Sequence, residues 1–209
     1  MAMHLEKCNL ENTLAGECFD VMKVIQNGMG IVQDENGKIN EQNYMISFAF
    51  LLGSIIGGDL ENSYGGELKK VISCSSQQVK NLRARVRKEN KENGRPDVTV
   101  KPDFVIHKSI LRENMNNETQ KLIIEAKTSN QLNQDHFSWD LFKLYAYIRQ
   151  LYFNVAIFLI VNEKKSRVDN LIAEYIHQEL PTDVPDNCLF FFIQEDAAIE
   201  PIAYKLVPD

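Results

Sequence analysis

Residues 155–162, VAIFLIVN, form an almost unbroken apolar run, and this run constrains the fold more than any other segment. A strand of this composition has to be covered on both faces, as in sheets that carry helices above and below. Residues 188–194, CLFFFIQ, are a second run of this kind. Helical patterns separate these strands, so the sequence predicts an α/β fold with a mixed central sheet flanked by helices.

The length of 209 residues, of which 44% are apolar and 25% charged, is enough to bury a sizeable core in a single domain, 1–209. Helical spacing of apolar residues predicts a first helix over 12–26, so residues 1–40 are expected to form an N-terminal helical extension. The core, 41–209, is expected to begin with a strongly apolar helix from Glu41 to about Ile56, capped by Asn40.

Further along, residues 67–71 predict the start of a short helix, and a basic helix is predicted to run from Ser75 or Ser76 to about Lys91. The β-rich segments VTVKPDFVIH and KLIIEAKT predict an antiparallel hairpin with a long connection. After the hairpin the pattern predicts two more helices. Their predicted bounds are Ser138 to Tyr152, and Ser166 or Asp169 to Leu180.

Several classes of protein are disfavoured by the composition. The longest apolar run, Met45 to Ile56, is shorter than the roughly 20 residues that cross a bilayer, so no membrane partner is expected. The first residues lack an apolar export segment, and we therefore expect a cytoplasmic protein. The four cysteines are scattered, which indicates neither a zinc site nor a disulfide framework.

Basic residues are concentrated in one segment of an acidic chain. The net charge is −6, yet Glu67 to Arg95 contains nine basic and three acidic residues. Clustered Lys and Arg side chains favour contact with phosphates, and a solvated helix face is the alternative interpretation. The residues proposed to contact nucleic acid are Lys80, Arg83, Arg87 and Arg95.

Ionisable residues that are candidates for catalysis lie close together on the predicted hairpin. Side chains alternate along a strand, so Glu125 and Lys127 point to the same face. If the register brings Asp103 beside Glu125, two carboxylates and an ammonium meet on a mostly apolar sheet. A surface salt bridge on an edge strand is the alternative. Carboxylates are ligands that Mg²⁺ prefers, and a bound Mg²⁺ assists phosphodiester hydrolysis, so the cluster indicates a metal-dependent hydrolase.

These residues resemble the PD-(D/E)xK nuclease superfamily. Pro102-Asp103 matches the first half of its pattern and Glu125-Ala126-Lys127 the second. The resemblance implies a restriction-endonuclease-like core with the element order α-β-β-β-α-β. One early strand of that order is missing from the predicted elements, unless Val98 to Val100 belongs to it. Asp103, Glu125 and the Ala126 carbonyl are then expected to bind Mg²⁺ or Mn²⁺, and Lys127 to orient or deprotonate water or to stabilise developing charge.

The resemblance extends to accessory positions. Restriction-type members carry a DxxKLxxY-like helix after the lysine strand, which corresponds here to Asp140, Lys143 and Tyr147. Their spacing puts them on one helical face, although an exposed charged stripe would show the same spacing. Gln131 is a candidate substrate contact. Many members add a Glu from the helix before the hairpin, for which Glu41 is preferred over Glu61 and Glu67.

The sequence therefore predicts a Mg²⁺-dependent nuclease that acts on nucleic acid, with DNA as the expected substrate, in restriction, defence or repair. Since many such nucleases dimerise, a homodimer or a larger restriction or defence complex is compatible with this prediction. The alternative is a catalytically inactive binding module of the same fold that holds nucleic acid or a protein partner. An enzyme acting on small phosphorylated ligands is disfavoured because no glycine-rich phosphate loop is present.

Overall fold

The structure of the protein is a computed structural model. It describes residues 3–10, 13–27, 39–55, 61–64, 69–87, 96–108, 115–128, 132–183, 185, 188–196 and 199–208. The elements in this part of the chain are, in order, β1 (Met3–Lys7), α1 (Leu14–Asn27), α2 (Glu41–Ile55), β2 (Glu61–Tyr64), β3 (Lys70–Ser73), α3 (Gln77–Arg87), β4 (Asp97–Val100), β5 (Phe104–His107), β6 (Gln120–Thr128), α4 (Gln134–Leu151), β7 (Val155–Val161), α5 (Lys165–His177), β8 (Leu189–Gln194) and β9 (Ile202–Pro208).

A seven-stranded mixed sheet lies at the centre, in the order β1-β9-β8-β7-β6-β5-β2. Its middle strands β6, β7 and β8 are parallel, and the flanking pairs are antiparallel. Strands β3 and β4 pair with each other in a separate two-stranded sheet. The predicted α/β fold with a mixed sheet flanked by helices is thus confirmed.

Two apolar cores cover the two faces of the sheet. Along β7, Phe158 and Ile160 belong to the core shared with α4 and α5, whereas Ile157 and Leu159 belong to the core shared with α1 and α2. This alternation explains why the run 155–161 has no polar positions, because each side chain enters one core or the other.

Helix α4 is the most deeply buried helix in the described part of the chain. It contacts β6 and β7 of the sheet, and α3 and α5 pack against it. Most of its side chains are therefore buried, including the polar Asp140 and Lys143, which are 5% and 7% exposed. The interpretation of this helix as carrying an exposed charged stripe is wrong.

The hairpin predicted around the motif is present. Strand β5 pairs antiparallel with β6, and Phe104 lies opposite Ile124. The backbone N–H of Asp103, the residue just before β5, donates to the carbonyl of Ile124 at 3.2 Å. This register carries Asp103 alongside Glu125.

Other element predictions need correction. The predicted strand segment 98–107 is divided between two strands: β4 pairs with β3 in the small sheet, and strand pairing is interrupted at Pro102, which lacks an N–H, before β5 joins the main sheet. The start of a short helix is predicted over 67–71, but residues 70–73 form β3, and 67 and 68 lie outside the described residues. The segment 1–40 contributes β1 as well as α1, because β1 pairs with β9 at the edge of the sheet. Among the described residues, no helix is both long and apolar enough to span a bilayer.

Helix α4 begins earlier than predicted, and the residue that caps it can be tested. Asn133 caps the helix by accepting the His136 N–H at 3.0 Å, whereas Ser138 lies inside it and accepts from the Gln134 side chain. We expect Asn133→Ala to lower the free energy of unfolding by about 1 kcal/mol, because a cap hydrogen bond is lost. Ser138→Ala is the matched control and should cost less in urea unfolding. A larger loss for Ser138→Ala would contradict the assignment.

Candidate active site

The site is centred on β6, between β5 and β7. Glu125 and Lys127 lie on the face of this strand that α4 covers, and the intervening Ala126 belongs to the core on the other face. The Glu125 side chain is 1% exposed. Such burial excludes the interpretation of this cluster as a salt bridge on an exposed edge strand.

Asp103 joins the cluster from the neighbouring strand. Its Oδ2 accepts the backbone N–H of Ala126 at 2.8 Å, so the carboxylate is held beside the middle residue of the Glu-Ala-Lys sequence. The structure brings Asp103, Glu125 and Lys127 together as the motif predicts. Their catalytic roles stay a prediction.

Three further residues surround the Lys127 ammonium. Its Nζ donates to the Ala126 carbonyl at 2.8 Å and lies 3.1 Å from Asp140 Oδ2 and 3.8 Å from Glu41 Oε1. Glu41 is the first residue of α2, so the beginning of that helix reaches the site from the other side of the sheet. Glu61 lies on β2, and Glu67 is outside the described residues.

Helix α4 contributes a polar row that faces the strand. Lys143 Nζ lies 2.6 Å from Glu125 Oε2 and 2.7 Å from Asp140 Oδ1, and the Tyr147 hydroxyl donates to Glu125 Oε1 at 2.9 Å. Asp140, Lys143 and Tyr147 thus lie within the site. The helical spacing indicated this shared face, but the direct pairing of Lys143 with Glu125 was not predicted.

The pKa values of the carboxyl groups in the cluster shift in different directions. Burial raises the pKa of Glu41 to about 7, aided by Asp103 and Asp140 and opposed by Lys127. Burial would also raise the pKa of Asp140, but Lys143 and Lys127 outweigh it and lower that pKa. For Glu125 the pKa is raised, because burial and the nearby acids outweigh the Lys143 and Lys127 ammonium groups.

The pKa values of the two lysines shift in the direction opposite to the one that burial favours. Burial alone would lower the pKa of Lys127, but Asp140, Asp103, Glu41 and Glu125 together raise it above its ordinary value. The same balance, dominated by Asp140 and Glu125, raises the pKa of Lys143. Both ammonium groups therefore remain protonated at neutral pH.

The donor set suits a hard divalent cation by its chemistry. Asp103, Glu125, Asp140 and Glu41 provide carboxylate oxygens, and two lysines balance only half of their charge when all are ionised. Among the described residues, the buried Glu41 Oε2 has no hydrogen-bond partner. As arranged here, no three Asp, Glu, His or Cys side chains of the described ranges already converge as a ligand group. The residues fit Mg²⁺ or Mn²⁺, but the side chains would have to turn to ligate the ion.

Two residues that the motif does not use, Asp97 and His107, lie away from this cluster. Pro96-Asp97 is a second Pro-Asp pair in the sequence, and its Asp97 is exposed on β4, in the small sheet. His107 is buried near the opposite end of β6, where it pairs with Gln120, and its Nδ1 lies 3.2 Å from the Lys108 carbonyl. Gln131, a predicted substrate contact, is outside the described residues.

The predicted nucleic-acid contacts are distributed along α3. Lys80 and Arg83 are half-buried, and Arg87 is exposed and donates to the Thr99 carbonyl at 3.3 Å. Arg95 lies outside the described residues. Arg85, which the sequence did not single out, pairs with Asp135 at 2.7 Å and attaches α3 to the start of α4.

Comparison with protein-family models, curated proteins and solved structures finds no match to this chain. Any assignment of function therefore depends on the residues of the cluster and on the elements that carry them.

The raised pKa of Glu41 predicts a pH dependence of stability. A carboxyl that titrates near 4.5 in the unfolded chain and near 7 in the folded protein keeps its proton only in the folded state between these values. Stability contributed by this proton is complete below pH 4.5 and is lost as the pH rises to about 7. In EDTA, we expect Glu41→Gln to remove this decline and to be more stable than the parent at pH 8, by about 1–2 kcal/mol after allowing for partial exposure.

Urea unfolding from pH 5 to pH 8.5 measures this effect. Glu174→Gln is the control, because it removes a carboxyl from the exposed side of α5. Parallel pH profiles for the parent and Glu41→Gln would show that Glu41 is not the titrating group.

Proposed function

We propose that the protein is a metal-dependent nuclease of the PD-(D/E)xK type that hydrolyses phosphodiester bonds in nucleic acid, with DNA as the expected substrate. The observation that carries the proposal is the cluster at β5 and β6, in which the buried Glu125 lies together with the partly buried Asp103 and Lys127. Burying ionised groups in a sheet core is costly, so such a cluster is more readily explained by chemistry than by stability.

The element order supports this proposal. Helix α2 and strands β2, β5 and β6, followed by α4 and β7, give the order α-β-β-β-α-β that the resemblance implies. Strand β2 is the early strand that the sequence did not reveal, and it pairs with β5. The segment β3-α3-β4 is then an insertion between β2 and β5, and Val98–Val100 belongs to that insertion.

In this proposal Asp103, Glu125 and the Ala126 carbonyl hold Mg²⁺ or Mn²⁺, and Glu41 is a further donor. When bound, the ion supplies Lewis-acid chemistry to the phosphate and to water. Glu41 is suited to this role because its buried Oε2 lacks a hydrogen-bond partner among the described residues. Its Oε1 lies 3.8 Å from the Lys127 ammonium.

Lys127 acts as a cation in this mechanism. Its raised pKa argues against a role as general base, so we assign it to orienting the attacking water and stabilising the charge that develops on the phosphate. Asp140 holds the Lys127 ammonium at 3.1 Å and is thus a positioning residue. Lys143 and Tyr147 hold Glu125 by its two carboxylate oxygens.

One observation favours the alternative, a catalytically inactive module of the same fold that binds nucleic acid or a protein partner. Both oxygens of Glu125 already accept hydrogen bonds, and Lys127 donates to the carbonyl expected to ligate the ion. A module that no longer binds a metal ion would retain such a network, in which the polar groups are hydrogen-bonded to one another.

Cleavage assays separate the two functions. We expect Mg²⁺- or Mn²⁺-dependent cleavage of plasmid or single-stranded DNA, and Lys127→Ala should reduce the rate by at least about 100-fold, since charge stabilisation and water orientation are lost. Lys121→Ala removes a lysine from the same strand outside the cluster and should retain activity. DNA binding without cleavage by the parent would favour the inactive module.

Binding to DNA tests the role of α3. Lys80→Ala should weaken binding to all sequences alike and reduce the salt slope by about 1, because one phosphate contact is lost. Arg85→Ala should lower the Tm and leave the salt slope close to that of the parent, because Arg85 pairs with Asp135. Fluorescence anisotropy in EDTA from 50 to 200 mM salt gives both slopes. An unchanged slope for Lys80→Ala would remove this residue from the interface.

A further inference from the structure

Lys143 occupies the position between two of the acids in the cluster. Its ammonium lies 2.6 Å from Glu125 Oε2 and 2.7 Å from Asp140 Oδ1. All three side chains are at most 9% exposed, so water screens these contacts little. One buried cation therefore pairs with an acid of β6 and an acid of α4 at the same time.

Asp140 links this cation to Lys127. Its Oδ1 faces Lys143 and its Oδ2 faces Lys127 at 3.1 Å, so both of its oxygens are engaged. The Lys127 ammonium already has Asp140, Glu41 and the Ala126 carbonyl as neighbours. Glu125, by contrast, has Lys143 as its ion-pair partner in the described part of the chain.

We propose that Lys143 is an internal counterion of Glu125, which stabilises the metal-free protein and which a divalent cation must displace from Glu125 Oε2 in order to bind. This inference rests on the proposed function, since it concerns how the same site is regulated. The consequence is a weak metal site that holds an ion firmly only when the Lys143 ammonium has moved away.

The distances give the physical reason. A carboxylate oxygen has two lone pairs and accepts both a lysine and a metal in principle. Mg²⁺ binds such oxygens at about 2.1 Å, which would put the ion only about 4 Å from an ammonium that is itself hydrogen-bonded to Glu125 Oε2. Two cations at that separation in a buried site repel strongly. Lys143 and the metal are therefore competitors for the same charge.

Metal binding to variants at position 143 tests this competition directly. We expect Lys143→Met to bind Mn²⁺ about tenfold more tightly than the parent at pH 8, because the competing charge is gone while the methionine chain retains much of the packing. Lys143→Arg keeps the charge and should resemble the parent. Lys70→Met is the matched control: Lys70 is also buried, but lies over the Phe153 ring, outside the acid cluster.

Isothermal titration calorimetry with Mn²⁺ alone gives the dissociation constants, so the result does not depend on cleavage. Mn²⁺ binding that is unchanged or weaker in Lys143→Met overturns the counterion role and leaves the nuclease proposal intact. No Mn²⁺ binding by the parent or by any variant overturns both. Tighter binding in Lys143→Met without any DNA cleavage by the parent supports the counterion and contradicts the nuclease.

Thermal unfolding covers the case in which Lys143→Met folds poorly without metal. The variant leaves Glu125 without its ion-pair partner, so we expect a lower Tm in EDTA, and Mn²⁺ should raise this Tm by more than it raises that of the parent. Lys143→Met combined with Glu125→Gln removes both charges. It should regain stability in EDTA and lose the enhanced response to Mn²⁺. An enhanced Mn²⁺ response that survives in this double variant contradicts the proposal.

Discussion

Glu125 carries a carboxylate into the middle of the sheet, where 1% of the residue is exposed. A charge in such a position is destabilising unless other groups compensate it, and the surrounding structure supplies that compensation. Lys143 and Tyr147 reach it from α4, while the hairpin brings Asp103, the residue just before β5, beside it. Because α4 must contact β6 through these polar groups, the burial of this one acid fixes how the helix lies on the sheet.

The cluster contains four carboxyl groups and two lysines, and the surroundings of each carboxyl group determine its pKa. Asp140 serves both lysines, and its lowered pKa reflects two nearby cations. Burial raises the pKa of Glu41, at the beginning of α2, with Asp103 and Asp140 adding to the shift and Lys127 opposing it. Acids in one cluster thus differ in how readily they ionise, as is common in catalytic sites.

Much of this arrangement could be predicted from local sequence. The shared face of Glu125 and Lys127 follows from the period of a strand, and the shared face of Asp140, Lys143 and Tyr147 follows from the period of a helix. The pairing of Lys143 with Glu125 could not be predicted, since it depends on the rotation of α4 above the sheet. The edge strands β1 and β2 and the inner strand β9 lack a long apolar run, so the sequence does not reveal them, and pairing with strands distant in sequence stabilises β1 and β2.

The pairing of β1 with β9 puts Met3 opposite Pro208 at one edge of the sheet, whereas Glu125 and Lys127 lie on β6, with β9, β8 and β7 in between. A fluorophore or surface tether attached at either of these positions would therefore leave from the side of the sheet remote from the acid cluster.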